Sequence, residues 1–375
     1  MRVVVLLILI VFLSGTDLER PPLRRLFLSP SFAADSLSVY PEWMAFQDTI
    51  ESDTLFVYRN KAGLIHSFSR MINTGVCIDG ECRRLSMSLF WTVTGRYYGF
   101  SLPEGEYLSK TEHVPFKDDD YLRLQEILAN PYSVLGEYRM DELISEQGEG
   151  VDGITAATLA AVKQETVPDA VYTSYTLWHL VYGETQKEIQ KYTRGHLTDE
   201  LAIQLLGSAD FEDKFWTLQN MGPRLQWSGQ LKKTVLEIIV HEKGLLSTEA
   251  LSALPDSLLE DPEIQLAFAR QFPEMAYLNQ RKILERLAKV DALDSQATLE
   301  FSAHLLQMSP NVLDGVLALY RAKQVQNEMI DQRIVRLLGH ENLFIARKAA
   351  DYLETKNVND KQVLRQIKKI RQNRN

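Results

Sequence analysis

The chain has 375 residues, of which 45% are hydrophobic and 24% are charged, so it is long and apolar enough for two or three folded domains. This composition excludes wholesale disorder. The formal net charge of -9 argues against nucleic acid as the main partner, because binding to a phosphate backbone requires a basic surface.

The chain begins with Met1-Arg2 and an unbroken apolar run of eleven residues, Val3 to Leu13. Such a run spans about 16 Å as a helix, too short to cross a bilayer core of about 30 Å. It is typical of a secretory signal, and we take residues 1–34 as signal peptide and leader of an exported, periplasmic or extracytoplasmic protein. Cleavage near Ser14-Gly15, cleavage near Ala33-Ala34 and retention as a membrane anchor stay open, as does a buried strand. Membrane association is expected only through an uncleaved signal.

The two cysteines of the chain, Cys77 and Cys82, flank an Asp79-Gly80 turn signal. A hairpin centred there would bring them into bridging range. In an exported protein this predicts one local structural disulfide. A redox-active pair is the alternative, although the spacing differs from Cys-x-x-Cys.

Residues 35–187 are predicted to form an α+β domain with an antiparallel sheet. Short β-prone runs lie at 38–40 and 55–58, and residues 85–94 alternate apolar and polar side chains. Residues 97–102 follow as another strand. A helix is predicted over 118–129. We interpret the acidic residues at its start, Asp118 to Asp120, as stabilising the positive end of the helix dipole and not as a metal site.

Residues 190–375 are predicted to form an all-α, helical-repeat domain. Strand signals vanish after about residue 196, and cap residues mark successive helices. Helix starts recur roughly every 16 residues, hence pairs of roughly 33, the range of helical-hairpin repeats. Residues 337–353 resemble a HEAT-type repeat, and a non-repetitive helical bundle is the alternative. The predicted helices are 228–243, 261–272, 294–308, one starting at 309–310, 327–339, 342–355 and 360–372.

Chemistry is suggested by the segment that follows the polar loop ending at Gly150 and Gly153. Thr155 can cap a helix running to about Glu165, which puts Thr158 in the first turn. Free backbone N–H groups and the positive end of the helix dipole would favour a phosphate held on the Thr158 hydroxyl. An ordinary capped surface helix is the alternative.

The same segment resembles the motif Asp-x-x-(Ser/Thr)-Gly-Ala-Thr of extracytoplasmic FMN-binding domains. Such domains, found in sodium-pumping NADH:quinone oxidoreductases and Rnf-type complexes, hold FMN as a phosphodiester on the final threonine. A flavin transferase attaches it, with FAD as donor. The matching residues are Asp152, Thr155, Ala157 and Thr158, with Ala156 where the family usually has glycine. The resemblance spans residues 60–185 and implies covalent FMN on Thr158, a flavin transferase and an envelope redox partner protein.

The run after this motif is rich in aromatic residues, including Tyr175, Trp178 and His179. An isoalloxazine ring needs flat apolar contacts and a few hydrogen-bond donors, and these side chains have both. Core packing with locally satisfied polar tips is the alternative. His113 is a further candidate for the rim of a flavin site, or an ordinary loop residue.

Two functions from different classes follow from these features. The first is an exported electron-transfer flavoprotein that exchanges electrons with an envelope redox partner. The second is a non-redox interaction scaffold, with a degenerate flavin domain and a helical-repeat binding surface. An exported hydrolase is disfavoured because no nucleophile–base pair stands out, so no catalytic residue and no metal ligand is assigned.

Overall fold

The structure is a computed structural model. It describes residues 36–48, 50, 52–76, 84–110, 113–143, 160–356 and 358–372, and for residues 23–28 it describes the backbone alone. The chain divides into two compact units, up to Thr193 and from Arg194 onward. The predicted order of an α+β region followed by an all-α region is confirmed. No helix in the described ranges combines the length and the apolar character needed to cross a membrane.

The described part of the first unit contains a six-stranded antiparallel sheet with the order β1-β6-β5-β4-β3-β2. The predicted strands correspond to β2, β3, β5 and β6, whereas β4 was not predicted and β1 falls within the predicted leader. The strands are β1 (Leu23–Leu28), β2 (Ser38–Trp43), β3 (Thr54–Arg59), β4 (Ile65–Thr74), β5 (Leu85–Thr92) and β6 (Tyr97–Pro103).

Three helices of the first unit cover one face of this sheet: α1 (Asp118–Ala129), α2 (Val171–Val181) and α3 (Glu184–Gly195). The Trp91 indole on β5 is fully buried and donates to the carbonyl oxygen of Val181 at 2.9 Å. The rings of Phe68 on β4 and Tyr192 on α3 meet edge to face with centroids 5.8 Å apart. Two 3₁₀ turns, Val134–Glu137 and Met140–Glu142, lie between α1 and α2.

A fully buried arginine, Arg70, ties the sheet to its surroundings. Its guanidinium forms a bidentate pair with the Asp48 carboxylate at 2.5 and 2.9 Å and donates to the Ser52 carbonyl at 2.9 Å. It also donates to the Thr185 hydroxyl on α3 at 2.7 Å and lies over the Phe46 ring. Because every donor group is engaged, the charge is tolerated inside the core.

The second unit is built from helical pairs. The first helices of successive pairs, α6, α8, α10, α12 and α14, each start 33 residues after the one before, so positions 33 residues apart are called repeat-equivalent below. The helices are α4 (Asp199–Leu206), α5 (Phe211–Asn220), α6 (Gly229–His241), α7 (Leu245–Ala253), α8 (Pro262–Gln271), α9 (Tyr277–Leu287), α10 (Ser295–Ala303), α11 (Pro310–Ala322), α12 (Glu328–Arg336), α13 (Leu343–Glu354) and α14 (Lys361–Gln372).

In each repeat, one repeat-equivalent position caps the first helix and another lies in the core. Side chains at one repeat-equivalent position accept from backbone N–H groups of the first turn, which is how short polar residues start helices. These caps are Ser228, Asp261, Asp294, Asn327 and Asp360. A second such position is buried in every copy: Val235, Phe268, Phe301, Ile334 and Ile367. The predicted helical-repeat architecture is therefore confirmed, whereas its assignment to the HEAT type stays a prediction.

Candidate functional site

The predicted flavin motif and the cysteine pair lie outside the described residues: Asp152, Thr155, Ala156, Ala157, Thr158, Cys77 and Cys82. On the two sides of the motif the described chain stops at Leu143 and resumes at Ala160, and residues 160–164 are helical. The described residues nearest to the motif belong to the elements that flank it.

The residues that follow the motif are attached to α1 and α2. The Arg123 guanidinium on α1 donates to the Gln164 carbonyl oxygen. Farther along, the backbone N–H of Val167 donates to the Ser174 hydroxyl on α2 at 3.0 Å. The helical residues 160–164 thus begin a segment that is held against these two helices.

Four side chains on α2 and just beyond its end form an aromatic row, Tyr175, Trp178, His179 and Tyr182. Their spacing puts them on one side of a helix. The ring centroids of Tyr175 and His179 lie 4.1 Å apart, those of Trp178 and His179 5.1 Å apart, and those of Trp178 and Tyr182 4.8 Å apart. The row is the continuous aromatic surface nearest in sequence to the motif.

Every polar tip of the aromatic row is bonded to a backbone carbonyl oxygen of residues 128–138. The pairs are Tyr182 Oη with Leu128 at 2.7 Å, Trp178 Nε1 with Asn130 at 2.9 Å, His179 Nε2 with Leu135 at 3.0 Å and Tyr175 Oη with Tyr138 at 3.0 Å. Tyr175, near the start of α2, reaches residue 138, and Tyr182, just beyond its end, reaches residue 128, so this segment runs broadly antiparallel to the helix. The row therefore holds the chain leading into the motif, and its donors are already engaged.

The electrostatics of the row favour neutral rings. Burial lowers the pKa of His179, while the hydrogen bond to Leu135 acts in the opposite direction. Since a carbonyl oxygen only accepts, the neutral ring bonded to it carries its proton on Nε2. Burial also raises the pKa of the Tyr175 and Tyr182 hydroxyls. The row consequently offers uncharged, partly exposed ring surface.

Gly136 allows the segment to lie this close to α2. A Cβ added at this position would stand 2.7 Å from Cη2 of Trp178. Real side chains do not approach that closely, so the missing side chain is required by the packing of the indole.

His113 lies away from this arrangement. It is exposed and takes a left-handed backbone conformation, with φ of 60°, in a turn closed by a bridge between Ser109 and Pro115. Among the described residues, no hydrogen bond or ring contact joins His113 to the aromatic row. The structure brings Tyr175, Trp178 and His179 together and leaves His113 in a separate loop.

The acidic start of α1 is used structurally. Burial would raise the pKa of Asp120, but hydrogen bonds from the Lys110 ammonium and the Lys117 backbone N–H outweigh it and hold the pKa below its ordinary value. Within the described ranges no group of His, Cys, Asp and Glu side chains is arranged to hold a metal ion.

A groove of about 610 Å³ lies in the second unit between α9 and α11. Its floor includes Gly315 and Ala318. The repeat-equivalent positions in α9 and α13 carry charged residues, namely Lys282 and Lys348 for Gly315, and Glu285 and Asp351 for Ala318. At these two positions α11 thus carries small side chains where α9 and α13 carry charged ones.

Comparison with known proteins gives no relative from which a function could be transferred. No family model, curated protein or solved structure matches the chain.

Proposed function

We propose that the first unit is an exported flavoprotein that carries FMN as a phosphodiester on Thr158 and exchanges electrons with an envelope redox partner. The observation that carries the proposal is the position of the motif directly before the helical residues 160–164. A phosphate on a threonine at the start of a helix is stabilised by free N–H groups and by the dipole.

The described residues fit a flavin in one respect. The partly exposed rings of Tyr175 and His179 offer a flat, uncharged surface close in sequence to the motif. They do not offer free donors, because their polar tips bind Tyr138 and Leu135. Hydrogen bonds to the isoalloxazine would then come from other groups.

The roles of the chain's own residues follow from this arrangement. In attachment, the Thr158 hydroxyl oxygen would form a bond to the FMN phosphorus as the bond to AMP in FAD breaks and the hydroxyl proton leaves. The aromatic row would position the chain that leads into the motif by holding residues 128–138. FMN, once bound, supplies one- and two-electron chemistry, and the covalent tether prevents its loss outside the cell.

Coexpression with a flavin transferase tests the proposal. The wild-type protein should be yellow and gain the mass of one FMN, whereas Thr158→Ala should be colourless and unmodified. Thr158→Ser, which keeps the hydroxyl, is the matched variant and should retain at least part of the modification. An unmodified wild-type protein, beside a known substrate that the same transferase modifies, would overturn the proposal.

A non-redox interaction scaffold is the second candidate. It is favoured by the groove between α9 and α11, whose small floor residues would let a helix of a partner protein approach closely. The same mass measurement separates the two functions, because the scaffold requires no modification of Thr158.

A further inference from the structure

We propose that the outer face of α14 docks the protein onto a membrane surface that contains anionic lipid. This role goes beyond electron transfer and does not depend on flavin. Four exposed cations, Lys361, Arg365, Lys368 and Lys369, define the basic face, and α14 contains no acidic residue. The chain as a whole has a formal net charge of -9, so the basic face is a local reversal of sign.

The spacing of the cations puts them on one side of the helix. The opposite side, formed by Val363, Ile367 and Ile370, is buried in the second unit. From residue 361 to residue 369 the helix rises about 12 Å, so the charges form a stripe directed away from the core.

The cations of the basic face have no ion-pair partner in the part of the chain that the structure describes. Among the described residues, Arg371 of α14 is paired, with Asp351 at 2.5 Å and Glu354 at 2.7 Å. None of the four residues of the basic face takes part in an ion pair with a described residue. Their charges are therefore available to a partner.

Helix stability does not explain the basic face. Cations near a helix C-terminus interact favourably with the dipole, which accounts for Lys368 and Lys369. Lys361 and Arg365 lie in the first two turns, where the dipole gives a cation no benefit and disfavours it at the terminus itself. A function outside the helix is needed for these two.

Exposure of the position of Lys368 explains polarity but not sign. The repeat-equivalent residues Leu236, Ala269 and Ser302 are buried and Val335 is half-buried, whereas Lys368 is exposed. An exposed position favours a polar residue. Residues of both signs would satisfy that need, whereas α14 carries only positive charge.

A bilayer is favoured over an acidic protein by the shape of the basic face. A stripe on the outside of one helix can meet a broad anionic surface with all its charges at once. Leu364, 48% exposed beside the stripe, would add an apolar contact at the lipid interface. Each basic residue near an anionic bilayer contributes measurably to binding.

Vesicle sedimentation with the full chain tests the proposal. Phosphatidylcholine vesicles are compared with and without phosphatidylglycerol. Binding by the apolar N-terminal run would occur with both kinds of vesicle, so the difference between them measures binding to the anionic lipid. The wild type should prefer the anionic vesicles, less so at high salt. A variant with Lys361→Gln, Arg365→Gln, Lys368→Gln and Lys369→Gln should lose on the order of a hundredfold in partitioning to them.

The matched control removes four exposed cations elsewhere, by Lys61→Gln, Lys187→Gln, Lys243→Gln and Lys289→Gln. Its net charge equals that of the first variant, and it should keep the wild-type preference. Equal losses in both variants would overturn the proposal, since net charge alone would then explain binding. A wild-type protein that shows no preference for the anionic vesicles would also overturn the proposal. This holds as well if that protein binds soluble polyglutamate through the basic face.

Discussion

At the scale of single residues, the packing of Trp178 depends on the absence of a side chain at Gly136. Gly136→Ala would force a Cβ against the indole and should destabilise the first unit by about 1–3 kcal/mol, as overpacking does elsewhere. Denaturant unfolding measures the effect. The control is Gly75→Ala, where an added Cβ meets nothing within 4 Å. Equal stability of the two variants would contradict the described contact.

His179 gives the protein a defined pH dependence. Burial lowers its pKa below the ordinary 6.5, so the folded state favours the neutral ring. Its contribution to stability is present above about pH 6.5 and is lost as the pH falls through the lower pKa of the folded state. The free energy of unfolding of the wild type should therefore decrease as the pH falls below 6.5.

The matched variant for this prediction is His179→Gln. A glutamine can still donate to Leu135 but does not titrate. Its stability should fall less steeply over the same range, and the remaining slope should come from His66, whose pKa burial also lowers. Parallel curves for the wild type and His179→Gln would remove the assigned role of His179.

The sequence identified part of the aromatic row but not its contacts. The aromatic composition of the run after the motif singled out Tyr175, Trp178 and His179. Their partners are backbone carbonyls of residues 128–138, which leave no signature in side-chain identity. Tyr182 extends the row at the same spacing and could have been found by continuing the pattern past the end of α2.

At the scale of elements, helix starts marked by a capping residue were predictable, whereas α7 and α9, which follow Gly244 and Ala276 without a side-chain cap, were not predicted. The predicted starts at Ser228, Asp261 and Asn342 match caps in the structure. Strand β4 was missed because both of its faces are largely buried, so apolar and polar residues do not alternate by exposure. Its buried polar residues, Ser67 and Arg70 among them, read as surface residues in the sequence.

The register of β4 and β5 bears on the cysteine pair. Thr74 is opposite Leu85 and Asn73 is opposite Ser86, and counting three residues onward from Thr74 and back from Leu85 reaches Cys77 and Cys82. We therefore propose a local disulfide between them. Alkylation without reductant should leave both thiols unmodified, and alkylation after reduction should modify both.

The control for the disulfide is Cys82→Ser, in which Cys77 should react without reductant. The disulfide proposal fails if the wild-type protein, purified without reductant, is alkylated at both cysteines under native and under denaturing conditions.

At the scale of the whole molecule, composition and periodicity were enough to predict an α+β unit followed by helical repeats. The boundary was placed at residues 187–190, whereas the two compact units meet between Thr193 and Arg194. The last turns of α3 stay with the first unit because the Thr193 hydroxyl donates to the Val93 carbonyl at 2.7 Å. Such a contact over a long sequence separation has no local sequence signal.

The flavin proposal rests on a short sequence motif and on the structure of the residues that flank it. The resemblance of the motif predicts the chemistry, whereas the contacts of α1, α2 and residues 128–138 show how the surrounding chain is held. Export follows from the N-terminal apolar run, an envelope redox partner follows from the resemblance to FMN-binding domains, and both remain proposals.

The most direct measurement is the intact mass of the protein isolated from its native envelope, followed by mapping of the modified peptide. We expect the mass of the chain, with or without its N-terminal signal, plus one FMN on the peptide that contains Thr158. A chain isolated with an unmodified Thr158, from cells in which a flavin transferase is active, would contradict the flavoprotein account and leave the scaffold.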